Sequence, residues 1–179
     1  DRQIQILRRG VVDLVNEAEL RKKLSRSLQT GKPLRIKLGI DPSSQDLHLG
    51  HTIPLWKLRA FQELGHQAVL ILGDGTARIG DPTGRNKTRP QLTLEEVVRN
   101  AKTYLDQAGK VIFLEGDPKR PKNVPPAEIV RNGDWFSKMN FFDTVKLASR
   151  MTAARMLERD YFAERFKAGI EIRLHELLY

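Results

Sequence analysis

The chain has no cysteine, no long apolar run and no internal repeat. Because none of the 179 residues is a cysteine, disulfide bonds and thiolate metal sites are excluded, and the composition fits a reducing compartment such as the cytoplasm. No window reaches roughly 18 uninterrupted apolar residues, and the segment DRQIQILRRGVV lacks the apolar centre of a signal peptide. We therefore expect a soluble protein that does not cross a membrane, with one core of ordinary domain size.

Acidic residues are the minority among the charged ones. The chain contains 31 Lys and Arg against 22 Asp and Glu, which gives a net charge of +9. This balance favours polyanionic partners such as RNA or nucleotide phosphates. The basic residues are dispersed, however, so the same charge could serve solubility alone.

The apolar residues predict three strands. They lie in LRIKLGI over 34–40, QAVLILG over 67–73 and KVIFLEG over 110–116. Because helical segments separate them, the order predicts an α/β fold, a Rossmann-like doubly wound parallel sheet of the HUP nucleotide-binding type. In such sheets the ligand lies beyond the carboxyl ends of the strands.

Helical spacing marks several segments of the chain. Helices are predicted over 13–29, 49–64, 93–109 and 152–169, with further helical pattern over 134–150. Gly31 would end the first of these helices, and Pro54 is expected within the first turn of the second. Thr93 with Glu96 predicts a capping box, and Thr152 is a predicted N-cap.

A Pro- and Lys-rich segment over 117–126 marks a boundary, beyond which the pattern is helical only. We therefore predict an N-terminal helical segment over 1–32, the first half of a Rossmann-like domain over 33–124, and a helical segment over 125–179.

Two histidines lie one helical turn apart at the predicted start of the second helix. In LGIDPSSQDLHLGH, His48 and His51 flank Gly50. A metal site is disfavoured, because the nearby Asp41 and Asp46 do not complete a ligand set. A helix N-terminus with imidazole donors favours a phosphate, and Gly50 would let a flat ring such as a nucleobase lie against the backbone. Two histidines that merely begin a helix would leave the same pattern.

The loop GDGTARIGDPTGRNKTR, residues 73–89, combines glycines with basic residues. The cations are Arg78, Arg85, Lys87 and Arg89. A solvated basic loop would have the same composition, but Asp81, set just before a proline, is suited to bind an ammonium group. An ammonium site beside phosphate-binding cations suits an amino acid together with ATP.

These two loops resemble motifs of the class I aminoacyl-tRNA synthetases, and within them the bacterial tyrosine-specific branch. G-I-D-P-S-S-x-D-L-H-L-G-H is similar to the "HIGH" signature and I-G-D-P-T-G-R to the tyrosine-branch loop. Further matches run from GKPL at Gly31 through NGDW at Asn132 to LHELLY at Tyr179, so the resemblance covers nearly the whole chain. Because small nucleotidyltransferases share the H-x-G-H element, the Asp81 loop is what separates the two families.

The resemblance implies that L-tyrosine is activated by ATP, with Mg²⁺ carried by the nucleotide, and that the tyrosyl group is transferred to tRNA(Tyr). No protein-bound metal is expected. Catalytic roles are implied for His48, His51, Arg85 and Arg89. ATP binding is implied for Gly39, Asp41, Ser43, His48, Gly50 and His51. Tyrosine binding is implied for Lys37, Gly39, Thr76, Asp81, Asn132 and Tyr179. Lys37 replaces a tyrosine that meets the substrate phenol in many members.

The resemblance also implies that residues 125–179 form a helical insertion, with a homodimer interface over 125–160. Apolar residues in this interface would be Trp135, Phe136, Met139, Phe141 and Phe142. The family's K-M-S-K-S-type loop and tRNA-binding domain would follow Tyr179, so this portion alone would be incomplete for full activity. Two alternatives stay open: a small H-x-G-H nucleotidyltransferase, and a non-catalytic RNA-binding or dimerisation module.

Overall fold

The computed structural model of the chain describes residues 2–79 and 92–179. In these residues three strands form one parallel sheet in the order β1-β2-β3. The strands are β1 (Arg35–Ile40), β2 (Gln67–Leu72) and β3 (Glu128–Arg131). The α/β class and the first two predicted strands are thus confirmed. Because the strands are parallel, their carboxyl ends lie along one edge of the sheet.

The described residues contain eight α-helices. They are α1 (Arg2–Arg8), α2 (Glu17–Thr30), α3 (Leu49–Glu63), α4 (Leu94–Ala108), α5 (Gly133–Phe136), α6 (Phe141–Ala148), α7 (Ala153–Leu157) and α8 (Asp160–Lys167). Two 3₁₀ turns span Thr76–Arg78 and Leu174–Leu178. None of the helices within residues 2–79 and 92–179 is long and apolar enough to cross a membrane.

Local signals placed most helix ends correctly. Gly31 ends α2 in the left-handed conformation, with a φ of 66°. Glu96 accepts hydrogen bonds at 2.9 Å from both the backbone N–H and the hydroxyl of Thr93, as the capping box predicts. Thr152 accepts from the N–H of Arg155 at 3.2 Å. The single helix predicted from Thr152 is wrong in its length, because the chain forms two helices, α7 and α8.

The predicted strand over 110–116 is wrong. These residues lie mostly in turns, and the third strand is β3, within the segment that was predicted to be helical only. The backbone of Phe113 pairs instead with the amide of Gln62, which accepts from its N–H and donates to its carbonyl, both at 3.0 Å. Gln62 is fully buried. Because a side chain satisfies these polar groups, an apolar run can lie in the core without joining a ladder.

The chain divides into two compact units. The first comprises Asp1–Ile40, Ser44–Ile71 and Lys102–Val130. Its larger apolar cluster consists of Ile40, Leu55, Leu58, Ala68, Leu70, Tyr104, Ala108, Val111, Ile112 and Ala127. A smaller cluster packs α1 and α2 against α3 through Ile4, Leu7, Leu24 and Phe61.

The second unit comprises Asp41–Ser43, Leu72–Ala101 and Arg131–Tyr179. Phe162 of α8 is fully buried in it, and a buried ion pair joins Arg165 of α8 to Glu176 in the last 3₁₀ turn. By contrast, no residue of α6 is buried. The unit therefore has an internal anchor near its C-terminal residues and an apolar helix that lies exposed.

Candidate active site

One face of β1 carries two of the predicted site residues. Successive side chains of a strand point to opposite faces, so Lys37 and Gly39 lie on the exposed face while Ile40 is buried. A Cβ added at Gly39 would meet no atom within 4 Å. The surface beside Lys37 is therefore open, with room for a ligand to approach the backbone.

His48 and His51 lie together at the start of α3, as predicted. His48 is the N-cap residue, and its backbone N–H donates to Nδ1 of His51 at 3.2 Å. The ring centroids are 3.8 Å apart and the planes are inclined by 31°. Because Nδ1 of His51 accepts a hydrogen bond, its proton in the neutral ring lies on Nε2, which can donate.

The imidazole ring of His48 lies close to Gly50. A Cβ at Gly50 would lie 2.9 Å from Cε1 and 3.0 Å from Nδ1 of His48. The glycine therefore leaves space for the imidazole of His48 beside the first turn of α3. The contact between a nucleobase and this glycine stays a prediction.

Pro54 lies in the second turn of α3, not in the first as predicted. The helix begins at Leu49, so Pro54 is its sixth residue. Proline has no N–H, and the carbonyl of Gly50 therefore lacks its usual helical donor. The first turn is correspondingly tight, with the N–H of His51 bonded to the carbonyl of His48 at 2.9 Å.

A second group of polar residues follows the carboxyl ends of the three strands. Asp41 comes directly after β1, Asp74 two residues after β2, and Asn132 directly after β3. Asn132 accepts from the N–H of Gly75 at 2.8 Å and donates to the hydroxyl of Thr76 at 3.0 Å. The parallel topology thus brings side chains that are more than 50 residues apart in sequence into one network.

The network continues through the carboxylate of Asp41. Its Oδ1 accepts from the hydroxyl of Thr76 at 2.8 Å, and its Oδ2 accepts from the hydroxyl of Tyr179 at 2.5 Å. Three of the residues predicted to bind tyrosine, Thr76, Asn132 and Tyr179, are therefore joined to one carboxylate. The resemblance assigned Asp41 to ATP, but its direct partners are residues assigned to tyrosine.

Gly73 is packed against this carboxylate. A Cβ at Gly73 would lie 1.7 Å from Oδ1 of Asp41 and 2.6 Å from the hydroxyl of Thr76. No side chain larger than hydrogen fits unless Asp41 moves. Gly73 is therefore a residue that permits the network to form.

Asp74 and Arg131 are network residues that the sequence interpretation did not single out. Asp74 is 8% exposed, accepts from the N–H of Gly133 at 2.8 Å, and forms an ion pair with Arg131 Nε at 3.0 Å. A Cβ at Gly133 would lie 2.8 Å from the same carboxylate. Asp74 thus holds the beginning of α5 close to the end of β2. The G-D-G pattern at 73–75 could have suggested this role for Asp74. The sequence interpretation missed it because the strand that carries Arg131, β3, was predicted at residues 110–116 instead.

The remaining predicted residues divide into two sets. Ser43 is half-buried, and its N–H bonds to the carbonyl of Asp41 at 2.8 Å in a tight turn. Asp81, Arg85 and Arg89 lie outside the described residues. Within the described ranges, no group of three or more His, Cys, Asp or Glu side chains could hold a metal ion.

A surface pocket of about 470 Å³ lies beside Gly75. It is lined by Gly75, Arg78, Ile79, Leu92, Gly133, Phe136 and Ser137. Neither Asp41 nor Tyr179 lines it. The pocket therefore adjoins the network through Gly75 and Gly133, whose N–H groups bond to Asn132 and Asp74, but it does not include the Asp41 carboxylate.

Several curated proteins are similar to this chain over its whole length. It is 57% identical over 179 residues to the tyrosine–tRNA ligase of Thermotoga maritima and 55% identical over 179 residues to that of Symbiobacterium thermophilum. Each match covers 100% of this chain and 41% of the relative. The chain thus spans about two fifths of the length of the curated relatives it matches.

Solved structures share the fold at lower identity. A C-terminally truncated mitochondrial tyrosyl-tRNA synthetase of Coccidioides posadasii has a TM-score of 0.71 at 24% identity, covering 99% of this chain and 48% of that chain. A tyrosyl-tRNA synthetase of Archaeoglobus fulgidus, complexed with L-tyrosine, has a TM-score of 0.68 at 21% identity, covering 99% and 49%. At these identities the likeness shows the fold alone, and it confirms the Rossmann-like class.

A family model shows which protein family the chain belongs to. The model of class I tRNA synthetases (W and Y) matches residues 29–179, which include both histidines of α3 and the whole network around Asp41. Because this match extends over most of the chain, the chain belongs to the class I tRNA synthetases of the W and Y family.

Proposed function

We propose that this chain is part of a tyrosine–tRNA ligase, which activates L-tyrosine with ATP and transfers the tyrosyl group to tRNA(Tyr). The observation that carries the proposal is the polar network of Asp41, Thr76, Asn132 and Tyr179, in a chain 57% identical to a protein named tyrosine–tRNA ligase. No specific observation favours a small nucleotidyltransferase or a non-catalytic module.

The activation step needs little covalent work from the protein. A carboxylate oxygen of tyrosine attacks the α-phosphorus of ATP, a new P–O bond forms, and the bond to pyrophosphate breaks with its electron pair leaving on pyrophosphate. No proton has to move, because the nucleophile is already ionised. Catalysis then consists of positioning the two reactants and stabilising charge on the phosphates. Mg²⁺ would be carried by the nucleotide.

The residues at the start of α3 suit the phosphate role. The stacked His48 and His51 sit at the end of a helix where unpaired N–H groups and the positive end of the dipole favour anions. The hydrogen bond from the His48 backbone leaves Nε2 of His51 as the donor nitrogen. Arg85 and Arg89 are proposed to close over pyrophosphate, and Gly39, Ser43 and Gly50 to line the nucleotide.

The network around Asp41 suits the amino-acid role. Tyr179 and Asp81 are proposed to bind the tyrosine ammonium, with Thr76 and Asn132 beside them. Asp41 would orient the hydroxyls of Tyr179 and Thr76, since each of its oxygens accepts from one of them. Lys37, on the exposed face of β1, is proposed to lie near the substrate phenol.

Exchange of pyrophosphate into ATP tests the proposed activity. We expect the complete protein to catalyse ATP–pyrophosphate exchange that depends on L-tyrosine. Because the family model covers both amino acids, tryptophan is the sharpest comparison. Exchange with tryptophan in place of tyrosine, or with no amino acid, would overturn the proposal.

Replacing both histidines tests the phosphate role separately. The change His48→Ala with His51→Ala should lower the exchange rate by about 10²–10⁴-fold, because positioned donors to the transition-state charge are removed. Tyrosine binding, measured by equilibrium dialysis, should survive. An unchanged exchange rate would refute the role.

The apolar residues of α5 and α6 support the proposal of a homodimer. Phe141 and Phe142 are 75% and 79% exposed and make an edge-to-face pair with centroids 5.8 Å apart. Asn140 and Asp143 cap the start of this helix reciprocally at 3.0 Å, so the backbone and side-chain groups at its N-terminus are satisfied within the chain. A helix with neighbouring exposed aromatic residues is typical of a protein interface.

Sedimentation velocity of the complete protein tests the dimer. Phe141→Lys with Phe142→Lys should convert it to a monomer, because two charges would be buried without partners. Lys146→Gln on the same helix is the matched control and should leave the dimer intact. A wild-type protein that sediments as a monomer would contradict the proposal.

The remaining expectations follow from the proposed activity. We propose a cytoplasmic location, in keeping with a role in translation, and the division into segments 1–32, 33–124 and 125–179 stays a prediction. Limited proteolysis near the Pro-rich segment 117–126 would test that division.

A further inference from the structure

A buried ion pair lies at the C-terminal end of the second unit. Arg165 and Glu176 are 3% and 2% exposed. The guanidinium meets the carboxylate with two nitrogens, Nη1 to Oε2 at 2.5 Å and Nη2 to Oε1 at 3.3 Å. The pair is therefore bidentate, a geometry that determines direction as well as distance.

The same two side chains hold the backbone around them. Arg165 Nη2 also donates to the carbonyl of Glu171. Glu176 Oε1 accepts from the N–H of Arg173 at 2.9 Å. Tyr179 is joined to the same turn through the backbone, since its N–H donates to the Glu176 carbonyl at 3.4 Å. The guanidinium of Arg165 thus connects α8 to Glu171 and Glu176, in the segment that leads to Tyr179.

The contribution of such a pair to stability is small or even negative in many proteins, because desolvating both charges offsets their attraction. Apolar residues of similar volume could fill this position in a fold that needed only a core. A bidentate pair differs from such apolar residues in that it fixes the direction of both side chains.

Tyr179 is the residue whose position depends on this geometry. The residue is 38% exposed, so packing alone does not hold it in place. Its hydroxyl nevertheless meets Oδ2 of Asp41 at 2.5 Å. The backbone of the 3₁₀ turn must therefore present the ring at the right place, and the Arg165–Glu176 pair holds that turn.

We propose that Arg165 and Glu176 are positioning residues for amino-acid binding, which act by holding Tyr179 against Asp41. This inference rests on the proposed function of the site. It extends that function to two residues that do not themselves meet the substrate. A displaced turn would weaken tyrosine binding and leave ATP binding unchanged.

A double-mutant cycle on the complete protein tests the proposal. The pair is replaced by apolar residues of similar size, Arg165→Met with Glu176→Leu, and Tyr179→Phe removes the hydroxyl. ATP–pyrophosphate exchange gives the KM for tyrosine and for ATP in the wild type, both variants and their combination. The matched control is Arg155→Met with Glu158→Leu, an exposed pair at 2.9 Å between α7 and the residue that follows it.

Each of the two changes should raise the KM for tyrosine by about tenfold or more, because a hydrogen bond to a charged group is lost or misdirected. In the Tyr179→Phe background, replacing the pair should have less than about a twofold further effect, since the two changes interrupt the same interaction. The KM for ATP should stay constant, and the α7 control should match the wild type.

Additive effects on the KM for tyrosine would overturn the proposal, as would an equal rise in the KM for ATP. If the apolar pair does not fold, Glu176→Gln takes its place in the same cycle, because it keeps the size and the acceptor oxygen while removing the charge. A wild-type protein without tyrosine-dependent exchange would instead refute the proposed function itself.

Discussion

Replacing Gly73 by alanine should disrupt the network around Asp41. The added Cβ would lie 1.7 Å from Oδ1 of Asp41, whereas real Cβ atoms essentially never approach closer than 3.0 Å, so the carboxylate must retreat by at least 3.0 − 1.7 = 1.3 Å. Its hydrogen bonds are 2.8 Å to Thr76 and 2.5 Å to Tyr179, and a shift of this size away from Gly73 would stretch or break them. Gly73 does not have a positive φ, so the backbone itself is not strained.

The expected magnitude follows from those two bonds. A hydrogen bond to a charged group contributes about 1.5–3 kcal/mol. Asp41 is half-buried, so water would partly replace the lost partners, and the lower end of the range applies. The pair of bonds together then accounts for about 3 kcal/mol, which corresponds to roughly a hundredfold loss in kcat/KM for tyrosine.

The assay is tyrosine-dependent ATP–pyrophosphate exchange, accompanied by urea unfolding followed by circular dichroism. Gly39→Ala is the control for stability, since a Cβ there meets no atom within 4 Å and the glycine likewise lacks a positive φ. If Gly73→Ala has the same urea midpoint as Gly39→Ala and exchanges at the wild-type rate with the wild-type KM, the reasoning from close approach is refuted.

Three further predictions concern the first unit. Burial lowers the pKa of His66 below the ordinary histidine value of 6.5, so the folded state binds fewer protons than the unfolded state, and stability should be lost as the pH falls through 6.5 toward the folded pKa. His66→Gln should flatten this part of the pH profile of the urea midpoint, and an unchanged profile would contradict the assignment. Gln62→Leu should destabilise the protein by about 2–4 kcal/mol, because the N–H of Phe113 loses its acceptor and the carbonyls of Phe113 and Pro125 each lose a donor; a loss below about 0.5 kcal/mol in urea unfolding would show that water replaces the amide. Leu55→Ala, at a fully buried position, should lower the free energy of unfolding by about 3–5 kcal/mol, whereas Leu49→Ala at the exposed start of the same helix should change it by less than about 0.5 kcal/mol, and equal effects would place the core elsewhere.

Elements with a strong local signal were predicted correctly. The alternation in LRIKLGI gave β1 together with the face that carries Lys37 and Gly39, and the Thr93 capping box marked the beginning of α4. These signals act between residues that are close along the chain. Local periodicity and capping chemistry therefore suffice to locate them.

Elements that depend on distant partners were not predicted correctly. The apolar segment around Phe113 has the pattern of a strand, but the N–H of Phe113 bonds to the side-chain amide of Gln62, 51 residues earlier, and its carbonyl accepts from that amide and from the N–H of Ala127. The strand that pairs with β2 is instead Glu128–Arg131, whose sequence has no strong apolar pattern. A continuous apolar run predicts that a segment is buried. It does not predict which groups will form hydrogen bonds with the backbone of that segment.

The features of the candidate site likewise fall into those that the sequence predicts and those that only the tertiary structure shows. The sequence by itself determined the chemical groups: two histidines at a helix start, a loop with cations and an aspartate, and the family to which they belong. Only the tertiary structure decided that Asp41 accepts hydrogen bonds from Thr76 and Tyr179, that Gly73 leaves the space for it, and that Arg165 and Glu176 hold the last turn. The physical reason is that the carboxyl ends of parallel strands meet at one edge of the sheet, so residues far apart in the chain become neighbours only after the strands are paired.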